Sequence, residues 1–391
     1  MKENWKECKL GDVCYFAKDK VSVSELNNDI YISTENMIPN RGGITKATNL
    51  PTGEQTPSFE SGDILVSNIR PYFRKIWKAS FSGGCSADVL NFKSRNNISN
   101  DFLYYILSDD EFFKYCMTTS KGTKMPRGDK VAIMQYPINL PPLATQQKIA
   151  KILSSLDYKI ELNNKINDNL EQQAQAIFKS WFVDFEPFGG KMPEGWRVGN
   201  LSEIGTIVGG STPSKAKKEY YTNKGIAWIT PKDLSNDKSK FISHGEIDIT
   251  ELGFKNSSAI KMPKGTVLYS SRAPIGYIAI SKNEVTTNQG FKSVIPNPNV
   301  GNAYIYYFLR SNFELIDNMA SGSTFKEISG TAMKNVPVLI PDDKTLFNFQ
   351  TMCETLFSQQ ELLENENVTL STIRDTLLSK LMNGEIEVGI K

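Results

Sequence analysis

The stretch LATQQKIAKILSSLDYKIELNNKINDNLEQQAQAIFKSWFVDFE (residues 143–186) contains neither proline nor glycine, and it governs how the rest of the chain is interpreted. Its apolar side chains recur every three or four positions, as on one face of a helix: Ile149, Ile152, Leu156, Ile160, Leu170, Ala174, Ile177 and Trp181. The spacing predicts one helix of about 38 residues, roughly 57 Å long. Because no small globule can cover such a length, we expect it to pair with another helix as a coiled coil.

A second stretch near the end of the chain repeats the pattern, and the two stripes together predict a set of helix-pairing residues. These are Ile149, Leu156, Ile160, Asn167, Leu170, Ile177 and Trp181 in the first helix, and Phe349, Leu356, Leu363, Asn367, Leu370, Leu377 and Leu381 in the second. In the middle of each apolar stripe, polar residues take the place of apolar ones. They are Asn163 and Asn167 in the first helix and Gln360 and Asn367 in the second. Either these amides are buried and fix one register at some cost in stability, or they face water.

The rest of the chain also contains two similar copies of one sequence pattern. Residue n matches residue n+200 at Gly122, Pro137, Leu140, Pro141, Leu156, Asn167 and Leu170. Small shifts of offset extend the match, since Trp5-x4-Leu10-x2-Val13 corresponds to Trp196-x4-Leu201-x2-Ile204. An ordered series over the whole length indicates an internal duplication, with each copy too long for a solenoid repeat.

Each copy therefore consists of a globular domain followed by a long helix. Short β-rich runs such as Ile64–Ile69 and Thr266–Ser271, with one aromatic helix at Asp101–Leu107 and at Ala303–Leu309, predict mixed α/β (α+β) domains. The tyrosines of that helix are expected in the core. The Pro- and Gly-rich run 185–195 ends the first helix. We predict domains at 1–142 and 187–342 and helical spacers at 143–186 and 343–391.

Composition restricts the class of protein. The chain has 391 residues, 39% of them hydrophobic, and a net charge of +2 that is unevenly spread. Segments 1–142 and 187–342 carry 18 basic against 16 acidic and 18 against 13 side chains, a modest excess that fits phosphate contact. Five cysteines without C-x-x-C spacing indicate neither disulfides nor zinc. No apolar run is long enough to span a bilayer, so we expect a soluble cytoplasmic protein.

No catalytic or metal-binding residue can be assigned. His244 is the only histidine, which excludes Ser-His-Asp and multi-histidine metal sites within one chain. No phosphate-binding loop and no G-x-G-x-x-G after a strand is present. Acidic residues are scattered, without the cluster of a metal-dependent nuclease or the base-gripping loop of an amino-methyltransferase. The sequence therefore predicts a protein that is not an enzyme and holds no cofactor itself.

Several motifs resemble the specificity subunits of type I restriction-modification enzymes. They are Leu140-Pro-Pro-Leu-Ala-Thr-Gln-Gln-Lys-Ile-Ala150, the run Ala176–Phe185, Gly209–Ser214 with Ala227–Leu234, and Leu377-Leu-Ser-Lys-Leu-Met-Asn-Gly-Glu-Ile386. The resemblance covers nearly the whole chain. It departs at Pro341-Asp-Asp-Lys344, which lacks the full Pro-Pro-Leu-x-x-Gln run and leaves open how that junction packs.

The resemblance implies two target-recognition domains, each reading one half of a split, asymmetric double-stranded DNA site. The two helices would lie antiparallel between these domains, with approximate two-fold symmetry and with a length that sets the interval between half-sites. It also implies two modification subunits, which use S-adenosylmethionine to methylate adenine, and restriction subunits that use ATP and Mg²⁺ to translocate and cut DNA. Those cofactors are expected on the partners and not on this chain.

Polar loops after matching strands are the candidates for reading DNA. We predict base-reading roles for Asn68, Arg70, Arg74, Ser271, Arg272, Asn288 and Gln289, because arginine can bridge guanine O6 and N7 and amides can pair with adenine. We predict phosphate contacts for Lys121, Lys124, Arg127, Lys232, Thr324 and Lys326. Each of these side chains has a plain alternative as a solvated or carboxylate-paired surface group.

Two other classes of protein stay open from the residues alone. One is a DNA methyltransferase or nuclease that works unaided through an unrecognised site. The other is a coiled-coil scaffold that binds only proteins. Product formation by the isolated chain would favour the first, and absence of any salt-dependent DNA binding would favour the second.

Overall fold

Both long helices are present in the computed structural model, which describes residues 5–322 and 326–388. Each helix has 40 residues, two more than the apolar spacing predicts. The chain divides into two units, Met1–Glu161 with Val368–Lys391 (unit 1) and Leu162–Asn367 (unit 2). Each unit therefore takes one part of both long helices. Among the described residues, no helix combines the length and apolarity that crossing a membrane requires.

Unit 1 builds its sheets from short strands, and its helices follow them in the chain. Its elements are β1 (Lys6–Lys9), α1 (Leu10–Val13), β2 (Cys14–Phe16), β3 (Lys20–Ser22), β4 (Tyr31–Ile32), β5 (Gln55–Phe59), β6 (Ile64–Ser67), β7 (Ile76–Lys78), β8 (Gly83–Cys85), β9 (Val89–Ser94), α2 (Asn100–Ser108), α3 (Asp110–Thr118), α4 (Lys130–Ile133), β10 (Pro137–Leu140) and the first part of α5 (Leu143–Phe182). Two four-stranded sheets, β2-β9-β6-β7 and β3-β5-β8-β4, accompany the pair β1-β10.

Unit 2 begins and ends with the same elements as unit 1 but has two further short helices, α7 and α8, among its strands. Its elements are the second part of α5, β11 (Arg197–Asn200), α6 (Leu201–Ile204), β12 (Gly205–Gly209), β13 (Tyr221–Thr222), β14 (Trp228–Ile229), α7 (Pro231–Asn236), β15 (Phe241–Ile242), β16 (Asp248–Ile249), α8 (Glu251–Lys255), β17 (Val267–Ser271), β18 (Ile275–Ser281), β19 (Thr286–Thr287), β20 (Lys292–Pro296), α9 (Asn302–Ser311), α10 (Phe313–Asn318), α11 (Gly330–Lys334), β21 (Pro337–Ile340) and the first part of α12 (Asp343–Met382), whose second part belongs to unit 1. A five-stranded sheet β12-β20-β17-β18-β15 accompanies the pairs β11-β21, β13-β16 and β14-β19.

The duplication is visible in matching strand pairs. The amino-terminal strand of each copy pairs antiparallel with the strand just before the long helix, so Lys6 faces Leu140 in unit 1 and Arg197 faces Ile340 in unit 2. A short helix, α1 or α6, follows that strand in both units. The chain is therefore an α+β protein with a duplicated domain, as the sequence predicts.

The aromatic helices α2 and α9 lie in the cores of their units. Phe102, Leu103 and Tyr105 of α2 are buried together with Ile149 and Leu153 of α5 and Leu381 of α12. In α9, Tyr304 and Tyr307 are almost fully buried beside Phe178 of α5 and Phe349 of α12. Burial of a large apolar side chain contributes about 2 to 3 kcal/mol. The expectation that these tyrosines belong to the core is confirmed.

The junction that departs from the family motif packs differently in the two units. In unit 1, Gln146 accepts a hydrogen bond from the Ser99 backbone N–H (2.8 Å) at the start of α2. In unit 2 the equivalent hydrogen bond is made by Gln350, which accepts from the Ala303 backbone N–H (3.0 Å) at the start of α9. Because Gln350 lies one helical turn later than the position equivalent to Gln146, the missing glutamine of the motif is replaced from the next turn.

Candidate nucleic-acid interface

In unit 1, three loops meet where β6 ends. The Asn68 backbone N–H donates to the carbonyl of Asp88 (2.8 Å), and the Gly128 N–H donates to the carbonyl of Asn68 (3.2 Å). Ile69 and Arg127 face each other in an isolated antiparallel bridge, and Arg127 forms a second bridge with Lys121. We call residues 67–74, 88 and 121–128 the unit 1 junction.

Unit 2 repeats this arrangement where β17 ends. The Ser271 N–H donates to the carbonyl of Gly290 (2.7 Å), and the Ile328 N–H donates to the carbonyl of Ser271 (3.1 Å). Arg272 faces Glu327 in an isolated bridge, and Glu327 forms a second bridge with Ser321. We call residues 270–275, 290, 321–322 and 326–328 the unit 2 junction.

The shared hydrogen bonds define which residues are equivalent. Asn68 corresponds to Ser271, Ile69 to Arg272, Arg70 to Ala273, Asp88 to Gly290 and Arg127 to Glu327. Sequence spacing places Arg70 and Arg272 in matching loops, but the hydrogen bonds show that they are not equivalent. Arg70 lies one residue after Ile69, which is the equivalent of Arg272. The backbone supports this assignment, since Arg70 and Ala273 both precede proline with left-handed φ values of 51° and 53°.

The base-reading candidates of unit 1 differ in how available they are. Asn68 is buried, and its Oδ1 has no hydrogen-bond partner among residues 5–322 and 326–388. Arg70 is half-buried, and its Nε likewise lacks a partner within the described part of the chain. Arg74 pairs with Asp110 (Nη1 to Oδ2, 3.1 Å), a carboxylate that also binds Arg41. These two arginines hold the pKa of Asp110 below its usual range although burial acts in the opposite direction.

The base-reading candidates of unit 2 surround a cavity of about 770 Å³. Arg272, Asn288 and Gln289 contribute to its wall, whereas Ser271 is fully buried beneath. The Asn288 carboxamide oxygen accepts from the Gly290 N–H (2.8 Å), and Gln289 hydrogen bonds with Thr212. The remaining wall includes two aromatic rings, Tyr221 and Trp228, and both basic and acidic side chains, namely Lys215, Lys218, Lys232, Asp233 and Glu246. The cavity thus offers amide, guanidinium and ammonium groups over an apolar floor.

Most phosphate candidates are paired with carboxylates. Lys121 contacts Asp129 (2.6 Å), Lys232 contacts Glu246 (2.6 Å), Lys326 contacts Asp317, and Arg127 contacts Asp88 (3.1 Å). Lys124 is exposed and has no carboxylate partner within residues 5–322 and 326–388. Thr324 lies outside the described residues. Because exposed ion pairs contribute only about 0 to 1 kcal/mol, these lysines can exchange a carboxylate for a phosphate at little cost.

Every predicted helix-pairing residue is buried or half-buried. In unit 2, Asn163 is fully buried and donates to Glu366 Oε2 (2.8 Å) and Asn367 Oδ1 (2.9 Å). Gln360, also buried, donates to the Asn167 carbonyl (3.2 Å). Since residue numbers rise along α5 as they fall along α12, the two helix segments of this unit run antiparallel.

A buried charge network in unit 2 has no counterpart among the sequence predictions. The Lys240 ammonium donates to Tyr307 Oη (2.9 Å) and Gln360 Oε1 (2.8 Å) and contacts the carboxylate of Glu171. Burial lowers the pKa of Lys240, while the neighbouring Glu171 acts against that shift. A single lysine in a polar loop carries no periodic signal, so sequence reasoning could not have found it.

A carboxyl group next to this network has an unusual pKa. Glu364 of α12 accepts hydrogen bonds from the backbone N–H groups of Lys240 (2.8 Å) and Phe241 (3.4 Å). Burial nevertheless raises the pKa of Glu364 to about 7. Together with Lys240, it ties the loop before β15 to α12.

The side chains that most often bind metal ions do not form a cluster in the described part of the chain. Within residues 5–322 and 326–388, no three His, Cys, Asp or Glu side chains are placed to hold a metal ion. His244 lies exposed in a loop, with Nδ1 2.8 Å from the Gly245 carbonyl. Burial raises the pKa of Cys14, Cys85, Cys116 and Cys353 to about 12, so these thiols are poor nucleophiles.

Known proteins match both copies. The family described as "Type I restriction modification DNA specificity domain" matches residues 2–172 and 193–373. The HindI specificity subunit of Haemophilus influenzae is 27% identical over 98% of this chain and 100% of its own length. The MjaIX specificity subunit of Methanocaldococcus jannaschii is 42% identical over 47% of this chain and 45% of its own length. A solved type I S subunit from M. genitalium has a TM-score of 0.55 and 16% identity, covering 99% of this chain and 97% of that one.

Proposed function

Because this chain belongs to the type I restriction-modification DNA specificity family, we propose that each of its two units reads one half of a split, asymmetric DNA site. The chain is the DNA-specificity subunit of a type I restriction-modification complex, a class of subunit that is not itself catalytic. The resemblance stated from its motifs is confirmed.

One observation carries the proposal of an asymmetric site. The unit 1 and unit 2 junctions share a hydrogen-bonded backbone framework but hold different side chains at the five equivalent positions defined above, such as Ile69 against Arg272 and Arg127 against Glu327. A common framework presents side chains in the same way to the same kind of ligand. Different side chains in it then select different base pairs.

The partners follow from the proposed role. We propose that the chain binds two modification subunits, which carry S-adenosylmethionine and methylate adenine, and restriction subunits that use ATP and Mg²⁺ to cleave. The family to which the chain belongs supports this proposal, because its specificity subunits are not themselves catalytic. The two 40-residue helices would set the interval between half-sites, because each is a stiff element about 60 Å long.

The experiment reconstitutes the full chain with a type I modification subunit, S-adenosylmethionine and a DNA library, and maps methylated adenines by sequencing. We expect one bipartite, non-palindromic motif. Arg272→Ala should relax base preference in a single half-site, since a good arginine contact contributes about 1 to 3 kcal/mol of discrimination. Lys326→Ala should weaken binding to all sequences alike.

Four results would count against the proposal or its assignment of contacts. Methylation without sequence preference would remove the reading role. Methylation or cleavage by the chain alone would make it an enzyme, and loss of every DNA contact in the reconstituted complex would leave only a scaffold. Uniform weakening by both Arg272→Ala and Lys326→Ala would overturn the division into base and phosphate contacts.

A further inference from the structure

In each junction, one arginine of the isolated bridge pairs with a carboxylate, but the arginine lies on opposite sides of the bridge in the two units. In unit 2 the guanidinium of Arg272 contacts Glu327 (Nη1 to Oε2, 3.2 Å), and these residues face each other across the bridge. In unit 1 the residue at the Glu327 position is Arg127, which contacts Asp88 (Nη2 to Oδ2, 3.1 Å). The two arginines therefore lie on equivalent antiparallel bridges of the two units, at opposite positions of the bridge.

The geometry leaves both guanidinium groups able to bind something else. The Arg127 side chain is 56% exposed and the Arg272 side chain 37% exposed. Each uses one terminal nitrogen for its carboxylate, whereas a guanidinium has five N–H donors. By contrast, Arg70 has a buried Nε and lies at the position of Ala273, next to the bridge, where its backbone N–H donates to the Pro126 carbonyl (2.8 Å).

A paired carboxylate also affects which groups of DNA the guanidinium can bind. A carboxylate about 3 Å from the guanidinium offsets part of its charge at the distance of a phosphate, and, unlike the ammonium groups of the paired lysines, the guanidinium keeps a planar fork of N–H donors. The carboxylate does not prevent hydrogen bonding to the uncharged edge of a base, and it restricts the rotamers of the arginine. A guanidinium held in this way suits guanine O6 and N7 better than the DNA backbone.

We infer that Arg127 and Arg272 are the equivalent guanine-reading residues of units 1 and 2, with Asp88 and Glu327 as their positioning residues. This inference rests on the proposed function and changes one of its assignments, because Arg127 becomes a base contact and not a phosphate contact. The two half-sites then each contain a guanine that is read from opposite sides of one conserved framework.

Gly290 explains why the positioning carboxylate of unit 2 comes from a different place. A Cβ atom at Gly290, the position equivalent to Asp88, would lie 2.9 Å from both Asn288 Oδ1 and Pro231 Cγ. Such approaches are too close for any side chain without displacement of the cavity wall. The carboxylate of unit 2 is instead supplied by Glu327, which Lys292 also contacts (3.2 Å).

The test uses Arg127→Ala in the full reconstituted complex, with methylation mapping and with DNA binding measured over a range of salt concentrations. We expect preference for one guanine, in one half-site only, to fall by about 5- to 150-fold, the equivalent of about 1 to 3 kcal/mol. The slope of log K against log salt should stay unchanged. A phosphate contact would instead give equal weakening on all sequences and a slope smaller by about 0.9.

Asp88→Asn and Glu327→Gln test the positioning residues with little change of side-chain size. Each should lower guanine discrimination while strengthening binding to unrelated DNA and steepening the salt dependence, because an unpaired guanidinium attracts phosphates. A merely structural role would weaken specific and non-specific binding together. Arg197→Ala, which breaks an exposed pair with Glu203 outside the junction, is the matched control and should change neither quantity.

The failure of this inference differs from the failure of the proposed function. If the unchanged complex shows no bipartite preference, the proposed function itself is wrong. If it shows one and Arg127→Ala leaves every position of the motif unchanged, only the inference is overturned. Should Arg127→Ala not fold, Arg127→Lys keeps the positive charge but removes the planar fork, and it must still relax one guanine.

Discussion

Lys240→Met should destabilise unit 2 substantially. The side chain of Lys240 is 5% exposed, and its ammonium has three acceptors, Glu171, Tyr307 and Gln360. Its Nζ also lies 4.2 Å from the centre of the Phe357 ring. Methionine has a similar volume and fills the same space, so the substitution removes the charge without leaving a large cavity.

The expected loss of unfolding free energy depends on the hydrogen bonds that Glu171 retains in the variant. Removing one partner of a buried ion pair costs about 3 to 5 kcal/mol, because the other charge is left unpaired. Glu171 still accepts from Arg310 Nη1 (2.5 Å) and from Tyr307 Oη (3.0 Å), which puts the expected loss near the lower end, about 3 kcal/mol. Replacing both charges, as Lys240→Met with Glu171→Met, should recover most of that loss.

Urea unfolding of the purified chain measures the effect, and amide hydrogen exchange locates it. For a slope of about 1 to 3 kcal/mol/M, the midpoint attributed to unit 2 should fall by roughly 1 to 3 M. Faster exchange should be confined to the loop before β15 and to α9. A loss below about 1 kcal/mol, or a double variant as unstable as the sum of the two single variants, would refute the view that the pair is a coupled network.

Three further perturbations test other features. Burial raises the pKa of Glu364 from 4.5 to about 7, so ionisation of this carboxyl opposes folding increasingly from pH 4.5 upward and fully above pH 7. In thermal unfolding, Glu364→Gln should therefore be more stable than the unchanged chain at pH 8, by up to about 3 kcal/mol, and equally stable at pH 4.5. A stability difference that is the same at both pH values would contradict this. Asn163→Leu removes the Nδ2 donor that Glu366 Oε2 and Asn367 Oδ1 share and should cost about 1 to 3 kcal/mol in urea unfolding. Unchanged stability would assign this buried amide no role. Deleting seven residues from each long helix removes about 10 Å and should shorten the interval between methylated half-sites by about 3 base pairs, so an unchanged interval would refute the spacing role.

The long helices and the cores were predictable because they depend on periodicity. Apolar residues at three- and four-residue spacing give a helix whatever the tertiary context, and the aromatic run of α9 fits a buried helix. The strand ends were less predictable. The run Ile64–Ile69 ends as a strand at Ser67, since the chain turns at Asn68 and adopts a left-handed conformation at Arg70.

Pairings between distant loops could not be predicted from one sequence. Aligning residue n with n+200 matches prolines and glycines, but loop lengths differ between the copies and the register inside a loop is then undefined. That is why Arg70 and Arg272 look equivalent in sequence, whereas backbone hydrogen bonds make Ile69 the equivalent of Arg272. The domain boundaries and the DNA-contacting residues stay predictions.

The two junctions indicate how one framework can acquire different specificities. Backbone hydrogen bonds, which do not depend on side-chain identity, fix the three loops around Asn68 and around Ser271. Side chains on the bridge are then free to change, provided that a carboxylate can reach the guanidinium from some direction, as Asp88 does in one unit and Glu327 in the other. Neither change disturbs the buried strands β6 and β17, so different side chains on the bridge require no new fold.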